Sequence, residues 1–222
     1  MIVKSIPHKH RNFQRLINYI FDDRGRYDPK LDFDLCHNIR SYSKGDIIAE
    51  FKENAKLKKR RENGTELYHD ILSFCPKDRR FLTLDKIYDL SRRYVELRGD
   101  KGLCFAKPHL HQDHLHVHFC FSGNQYQSEK SLRLTMKKFS QIRVDLELYQ
   151  MRCFPELTNS LVYLKKRTRA AQFKNIESSL PVSQEKRTSI DQSARKEKKM
   201  TSRIEDMEKL TPNRTKVTKR IR

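Results

Sequence analysis

The chain has 222 residues, with 48 Lys+Arg against 28 Asp+Glu, a net charge of +20 and a pI near 9.9. The length suits one domain with an appendage, and the charge favours a polyanion partner, nucleic acid before anionic membrane. Five scattered cysteines with no CxxC pair argue against a disulfide framework or zinc knuckle and fit a reducing cytoplasm. The opening Met1-Ile2-Val3-Lys4 does not read as a signal peptide, and no stretch approaches the roughly 18 apolar residues of a membrane helix, so no membrane insertion is expected.

Ile2 to Ile6 reads as a short strand that Pro7 ends. Arg11 to Phe21 reads as a helix, its buried face formed by Phe13, Leu16, Ile17 and Ile20 at helical spacing. Residues 22–34 are polar, with Gly25 and Pro29, and are expected to be a loop. A second helix is predicted over 44–61 with Ile47, Ile48, Phe51 and Ala55 inward; its basic end runs Lys56-Leu57-Lys58-Lys59-Arg60-Arg61, and Asn63-Gly64 marks a turn. Tyr68 to Cys75 is a strand stopped by Pro76.

Thr83 to Arg98 is a helix with Thr83 as N-cap, a stripe of Leu84, Ile87, Leu90, Tyr94 and Leu97, and Gly99 closing it. Leu103 to Lys107 is a short strand ending at Pro108, His114 to Ser122 is the clearest strand of the chain, and Leu132 to Leu134 is a further one. Residues 136–152 form an amphipathic helix ending before Pro155. From about Lys165 the periodicity fails. Residues 165–222 hold 18 Lys+Arg against 7 Asp+Glu and few aromatics, which predicts a basic, mostly disordered tail with a short helix near 200–210. The remainder is basic as well. Helices with antiparallel strands indicate an α+β sandwich with one sheet face covered.

The segment Pro108-His109-Leu110-His111-Gln112-Asp113-His114-Leu115-His116-Val117-His118-Phe119 carries most of the chemistry. Alternate side chains of a strand share a face, so Val117, Phe119 and Phe121 point to the core while His116, His118 and Cys120 point away from it. Two imidazoles on one side of a strand can chelate one ion, with a third ligand from His109 or His111. Imidazole prefers Zn²⁺, Ni²⁺, Cu²⁺ or Mn²⁺ to Mg²⁺ in affinity, and three ligands leave open positions that suit catalysis on phosphate. On the first helix Tyr19 lies about 110° from the mean buried direction, a flank position from which its hydroxyl can reach a site. With a free pKa of about 10, a tyrosine nucleophile needs a base or a metal.

Three segments, in order, resemble the relaxase (mobilisation nuclease) family of the HUH endonucleases. They are Leu16-Ile17-Asn18-Tyr19-Ile20 followed by Asp22-Asp23-Arg24-Gly25, then Tyr68-His69-Asp70-Ile71-Leu72-Ser73-Phe74, similar to H-x-x-x-S-F, then the histidine segment, similar to H-x-D-x-D-x-x-H-x-H. The resemblance covers roughly 1–160, leaving 161–222 as the tail. It implies a five-stranded antiparallel sheet packed against helices with the HxH strand central. It also implies His109, His116 and His118 as ligands of a divalent ion (Mg²⁺ or Mn²⁺, with Zn²⁺ as the alternative), Tyr19 as nucleophile and Ser73 as a DNA contact. Asp113 and His114 match the intervening residues. His111 stands where the family usually has an acid, a place from which it could orient a ligand or accept a proton, and Ser122 stands where an asparagine often follows; with Tyr19, His111 and Asp113 are the candidate catalytic residues. The implied activity is strand-specific nicking at a transfer origin in the bacterial cytoplasm, with an accessory mobilisation protein and a coupling protein as partners.

Candidate DNA contacts are Lys58, Lys59, Arg60 and Arg61, with Arg79 and Arg80 in the Lys77–Phe81 run, Lys137-Lys138-Phe139, and the tail. The alternatives are a rolling-circle initiator or transposase of the same superfamily, a non-catalytic DNA-binding accessory factor, and a histidine-metal enzyme of small molecules, which the charge disfavours.

Overall fold

The computed structural model describes residues 1–22, 28–59, 61–62, 64–111 and 114–164. Five strands, β1 (Ile2–His8), β2 (Leu35–His37), β3 (Leu67–Ser73), β4 (Gly102–His111) and β5 (His114–Gln125), form one antiparallel sheet in the order β1-β3-β5-β4-β2. The HxH strand is therefore central. Helices α1 (Phe13–Phe21), α2 (Lys44–Lys56), α3 (Leu84–Gly99) and α4 (Met136–Cys153) pack on it, giving the expected α+β architecture.

The alternation of β5 divides the core. Leu115, Val117, Phe119 and Phe121 join Leu72 of β3, Ala106 of β4, Ile87, Leu90 and Tyr94 of α3, and Ile142 and Leu146 of α4. On the other face Cys120, Leu67, Leu103 and Phe105 pack against Phe13, Leu16, Ile17 and Ile20 of α1 and Ile47, Phe51 and Ala55 of α2. Helices thus lie on both faces, not one, because the apolar stripes of α1 and α2 need a surface of their own. At the far end of β5, Gly123 passes so close to the 65–66 backbone that a Cβ would lie 2.5 Å from the Thr65 carbonyl oxygen.

Several element bounds differ from those expected. β1 runs through Pro7 and β4 through Pro108. A missing N–H is tolerated where a strand has an unpaired edge: β1 pairs only with β3, and β2 leaves β4 at Ala106. α2 stops at Lys56, so Lys58, Lys59 and Arg61 are not helical. Residues 132–134 make no strand; the fifth strand is β2 instead, and Ser131 only bridges Asn124. Thr83 precedes α3 without a side-chain cap bond, whereas Ser43 and Thr135 accept from Asp46 N and Lys138 N at the starts of α2 and α4.

Residues Met1–Ala170 constitute one compact unit. At its end the buried Glu147 carboxylate of α4 accepts the backbone N–H groups of Val162, Tyr163 and Leu164, and the Tyr163 hydroxyl accepts from Val3 N at 2.8 Å. The expected tail, with its helix near 200–210, falls on 165–222, outside the described residues.

Candidate active site

Strand register decides which side chains meet. On the α1 side of the sheet, β4 places His109 opposite His116 and His111 opposite His114; β3 places Ser73 opposite His116 and His69 opposite Cys120. β5 contributes His114, His116 and His118 from one face. The ring centroids of His109 and His118 lie 4.7 Å apart, and those of His116 and His118 lie 6.2 Å apart. His109 and His118 are buried, at 2% and 6% exposure.

Tyr19 stands above them. It lies on the flank of α1, as its helical angle predicts, and is 40% exposed. Its ring is edge-on to three imidazoles, at 5.9 Å from His69, 5.9 Å from His109 and 5.4 Å from His118. The apolar stripe of α1, anchored by Phe13 and Ile17 on the sheet, fixes this placement. The same helix reaches the cluster through its backbone, since His109 Nε2 donates to the Ile20 carbonyl at 2.7 Å. That bond makes Nδ1 the lone-pair nitrogen of a neutral His109.

Two further ring nitrogens are engaged from β3. Ser73 Oγ is 2.9 Å from His116 Nδ1, and His69 Nε2 is 3.0 Å from His118 Nδ1. Burial, followed by repulsion from His8, His109 and Lys4, pushes the His69 pKa down to about 4. Burial and the neighbouring His114, His111 and His109 push His116 below its ordinary value. These two imidazoles are neutral at pH 7 and keep a lone pair.

The donor set suits a divalent ion of borderline softness. Imidazoles bound to one ion have ring centroids about 5 Å apart, close to the His109–His118 spacing, and the engaged second nitrogens are the usual outer partners of histidine ligands. Among the described residues no three His, Cys, Asp or Glu side chains are grouped so as to hold an ion.

The other candidates are placed as follows. His111 is exposed at the end of the β4–β5 hairpin, opposite the exposed His114. Asp113 and Arg60 lie outside the described residues, as do residues 23–27, which include the Asp23-Arg24-Gly25 part of the first motif. Ser73 has its hydroxyl on His116. Lys58 is only 9% exposed; its ammonium donates to Thr65 O at 2.5 Å and lies 3.8 Å from Glu66, which also pairs with Arg11. Its charge is engaged inside the fold, whereas Lys59 and Arg61 are exposed. Arg79 pairs with Asp28 at 2.8 Å, and Arg80 is exposed over the Phe81 ring. Ser122 is buried, accepts from Leu103 N and donates to Asn124 O, pinning the bulge between Gly102 and Cys104.

His69 is the histidine of the H-x-x-x-S-F match, but the motif assigns a role only to Ser73, and nothing in the sequence singles out His8. His69 stands four residues before Ser73 and therefore on its face of the strand, which was the available signal. Its link to His118 needed the β3–β5 register.

The neutral state of His69 has a consequence for stability. Its folded pKa lies below the unfolded value of 6.5, so the unfolded chain binds more protons between pH 6.5 and about 4, and stability falls as pH falls through that window. The ceiling is roughly 3 kcal/mol, reduced by solvent screening to on the order of 1–2 kcal/mol. Urea melts with chelator present at pH 7.5, 5.5 and 4.5 will show this slope in wild type and a flatter one in His69→Gln.

The family model described as Relaxase: MobA/VirD2-like, nuclease domain matches residues 19–148, more than half of the chain. The protein belongs to this relaxase nuclease-domain family. The matched span begins at Tyr19 and contains β3, β4 and β5 complete. A search of curated proteins finds no match. Among the described residues no helix is long and apolar enough to cross a membrane.

Proposed function

We propose that the protein is a DNA relaxase that nicks one strand at a transfer origin by transesterification onto Tyr19, starting mobilisation of a plasmid or other mobile element. The observation that carries this reading is the position of Tyr19, roughly equidistant from His69, His109 and His118 within a family nuclease domain.

The Tyr19 oxygen attacks phosphorus, the bond to the 3′ oxygen breaks, and a 3′-hydroxyl and a 5′-phosphotyrosine diester result. The diester retains the energy of the broken bond, so the strand can be resealed. The phenol gives up its proton as the new bond forms, and the departing 3′ oxygen takes one up, so a group outside the ion's ligands must handle both transfers. His109, His116 and His118 would hold the divalent ion, which when bound supplies charge stabilisation on the phosphate oxygens. His109 is favoured over His111 as third ligand because its ring is beside His118 and beneath Tyr19. His111, at the end of β4, and Asp113 remain the proposed catalytic residues that handle these protons. Lys59, Arg61, Arg79 and Arg80 are proposed to track the DNA backbone. An accessory mobilisation protein, a coupling protein and the bacterial cytoplasm complete the proposal.

The test exposes the protein to labelled single-stranded DNA tiling the origin region with Mn²⁺ or Mg²⁺. A denaturant-resistant adduct is expected, mapped by peptide mass spectrometry to Tyr19 and lost on chelation. Tight DNA binding with no adduct under any metal would instead favour the accessory-factor reading.

A further inference from the structure

The ring nitrogens of the histidine cluster are engaged in a pattern that the reaction chemistry does not require by itself. β3 sends two side chains to the same face, four residues apart, and each meets a different imidazole of β5. Ser73 is directly opposite His116, with Oγ 2.9 Å from Nδ1. His69 reaches diagonally, from opposite Cys120, to bring Nε2 within 3.0 Å of His118 Nδ1. In both contacts the nitrogen engaged is Nδ1. A neutral imidazole carries one proton, and the bond made by one nitrogen sets the state of the other.

We propose that β3 is the orienting strand of the site: Ser73 Oγ and His69 Nε2 each accept a hydrogen bond from the Nδ1–H of His116 and His118, so that both imidazoles present Nε2 as a lone pair toward the cluster. Ser73 and His69 are then positioning residues rather than groups that touch DNA. The inference rests on the metal-site reading above for its consequence, ion affinity, but not for the tautomers themselves. It accounts for the shape of the segment. A hydroxyl suffices directly across the ladder, where the gap is short, whereas the diagonal contact needs the longer imidazole. It also places the supporting groups on a strand hydrogen-bonded on both sides, β1 and β5, which fixes them more firmly than a loop would.

The tautomers of metal-free, ¹⁵N-labelled protein are read by long-range proton–nitrogen correlation at pH 8, and Mn²⁺ affinity is measured by titration calorimetry. In wild type both His116 and His118 are expected as the Nδ1–H form. Ser73→Ala should shift His116 toward the Nε2–H form, leave His118 unchanged, and weaken Mn²⁺ binding about 10-fold to 100-fold. Ser73→Thr, which keeps the hydroxyl, should restore both. His69→Phe should shift His118 alone, and His69→Gln, which keeps an acceptor, should reverse that. Backbone amide spectra verify the fold of each variant. An Nε2–H form at either residue in wild type overturns the proposal, as does a Ser73→Ala variant with unchanged tautomer or with unchanged Mn²⁺ affinity. The expected tautomers in a wild type that binds no Mn²⁺ would support the positioning and overturn the metal reading instead.

Discussion

Tyr19→Phe is expected to lower covalent adduct formation by on the order of 10³-fold or more, while single-stranded DNA binding stays within about twofold of wild type. The asymmetry follows from where the side chain sits. Its ring lies against His69, His109 and His118, and phenylalanine preserves those contacts; only the hydroxyl disappears. The variant should therefore keep its fold, its melt shifting by no more than about 1.5 kcal/mol, the net worth of a hydroxyl hydrogen bond. Tyr42→Phe is the control. Tyr42 is 83% exposed, in the connection between β2 and α2, and its loss should leave the adduct intact. The measurement is single-turnover adduct yield on a gel, with binding followed separately by anisotropy. An adduct that survives in Tyr19→Phe would keep the chemistry and move the nucleophile to another tyrosine. Nicking that survives without any adduct would mean that water has taken the place of the phenol.

The placing of Tyr19 was legible because one helix determines it. Once Phe13, Leu16, Ile17 and Ile20 are seen as the buried stripe, the angle to Tyr19 follows from helical geometry. The alternation of β5 was legible for the same reason, with Val117, Phe119 and Phe121 in one cluster and Cys120 in the other. What the sequence did not reveal depends on partners distant in the chain. β2 is three residues long and pairs only with β4, too short for a period to register. Pro7 and Pro108 read as stops because sequence alone does not show which strand edges are unpaired. His69 reaches His118 through a register between β3 and β5 that spans about fifty residues. Lys58 belongs to a basic run by composition, yet Glu66, nearly fully buried, draws its ammonium inward. The covered second face of the sheet is a further case, since a stripe on α1 does not state which surface it meets.

β3 also carries the second large expected effect, on stability rather than chemistry. Asp70 lies between His69 and Ile71 but faces the opposite side of the sheet, fully buried. Its Oδ2 accepts from the Tyr94 hydroxyl at 2.8 Å and from Arg98 Nε at 2.9 Å, both from α3. The Arg98 guanidinium lies over the Tyr68 ring at 4.6 Å and the Phe121 ring at 5.2 Å. Removing the carboxylate leaves that cation in the core without its counter-charge. Asp70→Ala is therefore expected to cost about 3–5 kcal/mol, a fall in melting temperature of about 10 °C for a chain of this size. The pair is only half satisfied, however. Asp70 Oδ1 and the second guanidinium nitrogen of Arg98, NH1, make no hydrogen bond among the described residues. Such a pair recovers little of its desolvation cost, so replacing both partners at once should be far less damaging than replacing one. Asp70→Leu and Arg98→Met, each expected to cost about 3–5 kcal/mol alone, should together melt within about 2 kcal/mol of wild type, so the double-mutant cycle should give a coupling of at least about 4 kcal/mol. Urea melts of the four proteins measure it. If the double variant loses as much as the two single variants together, the pair does not act as a unit. A large coupling means that α3 grips β3 through one buried charge pair, directly behind the strand that carries His69 and Ser73.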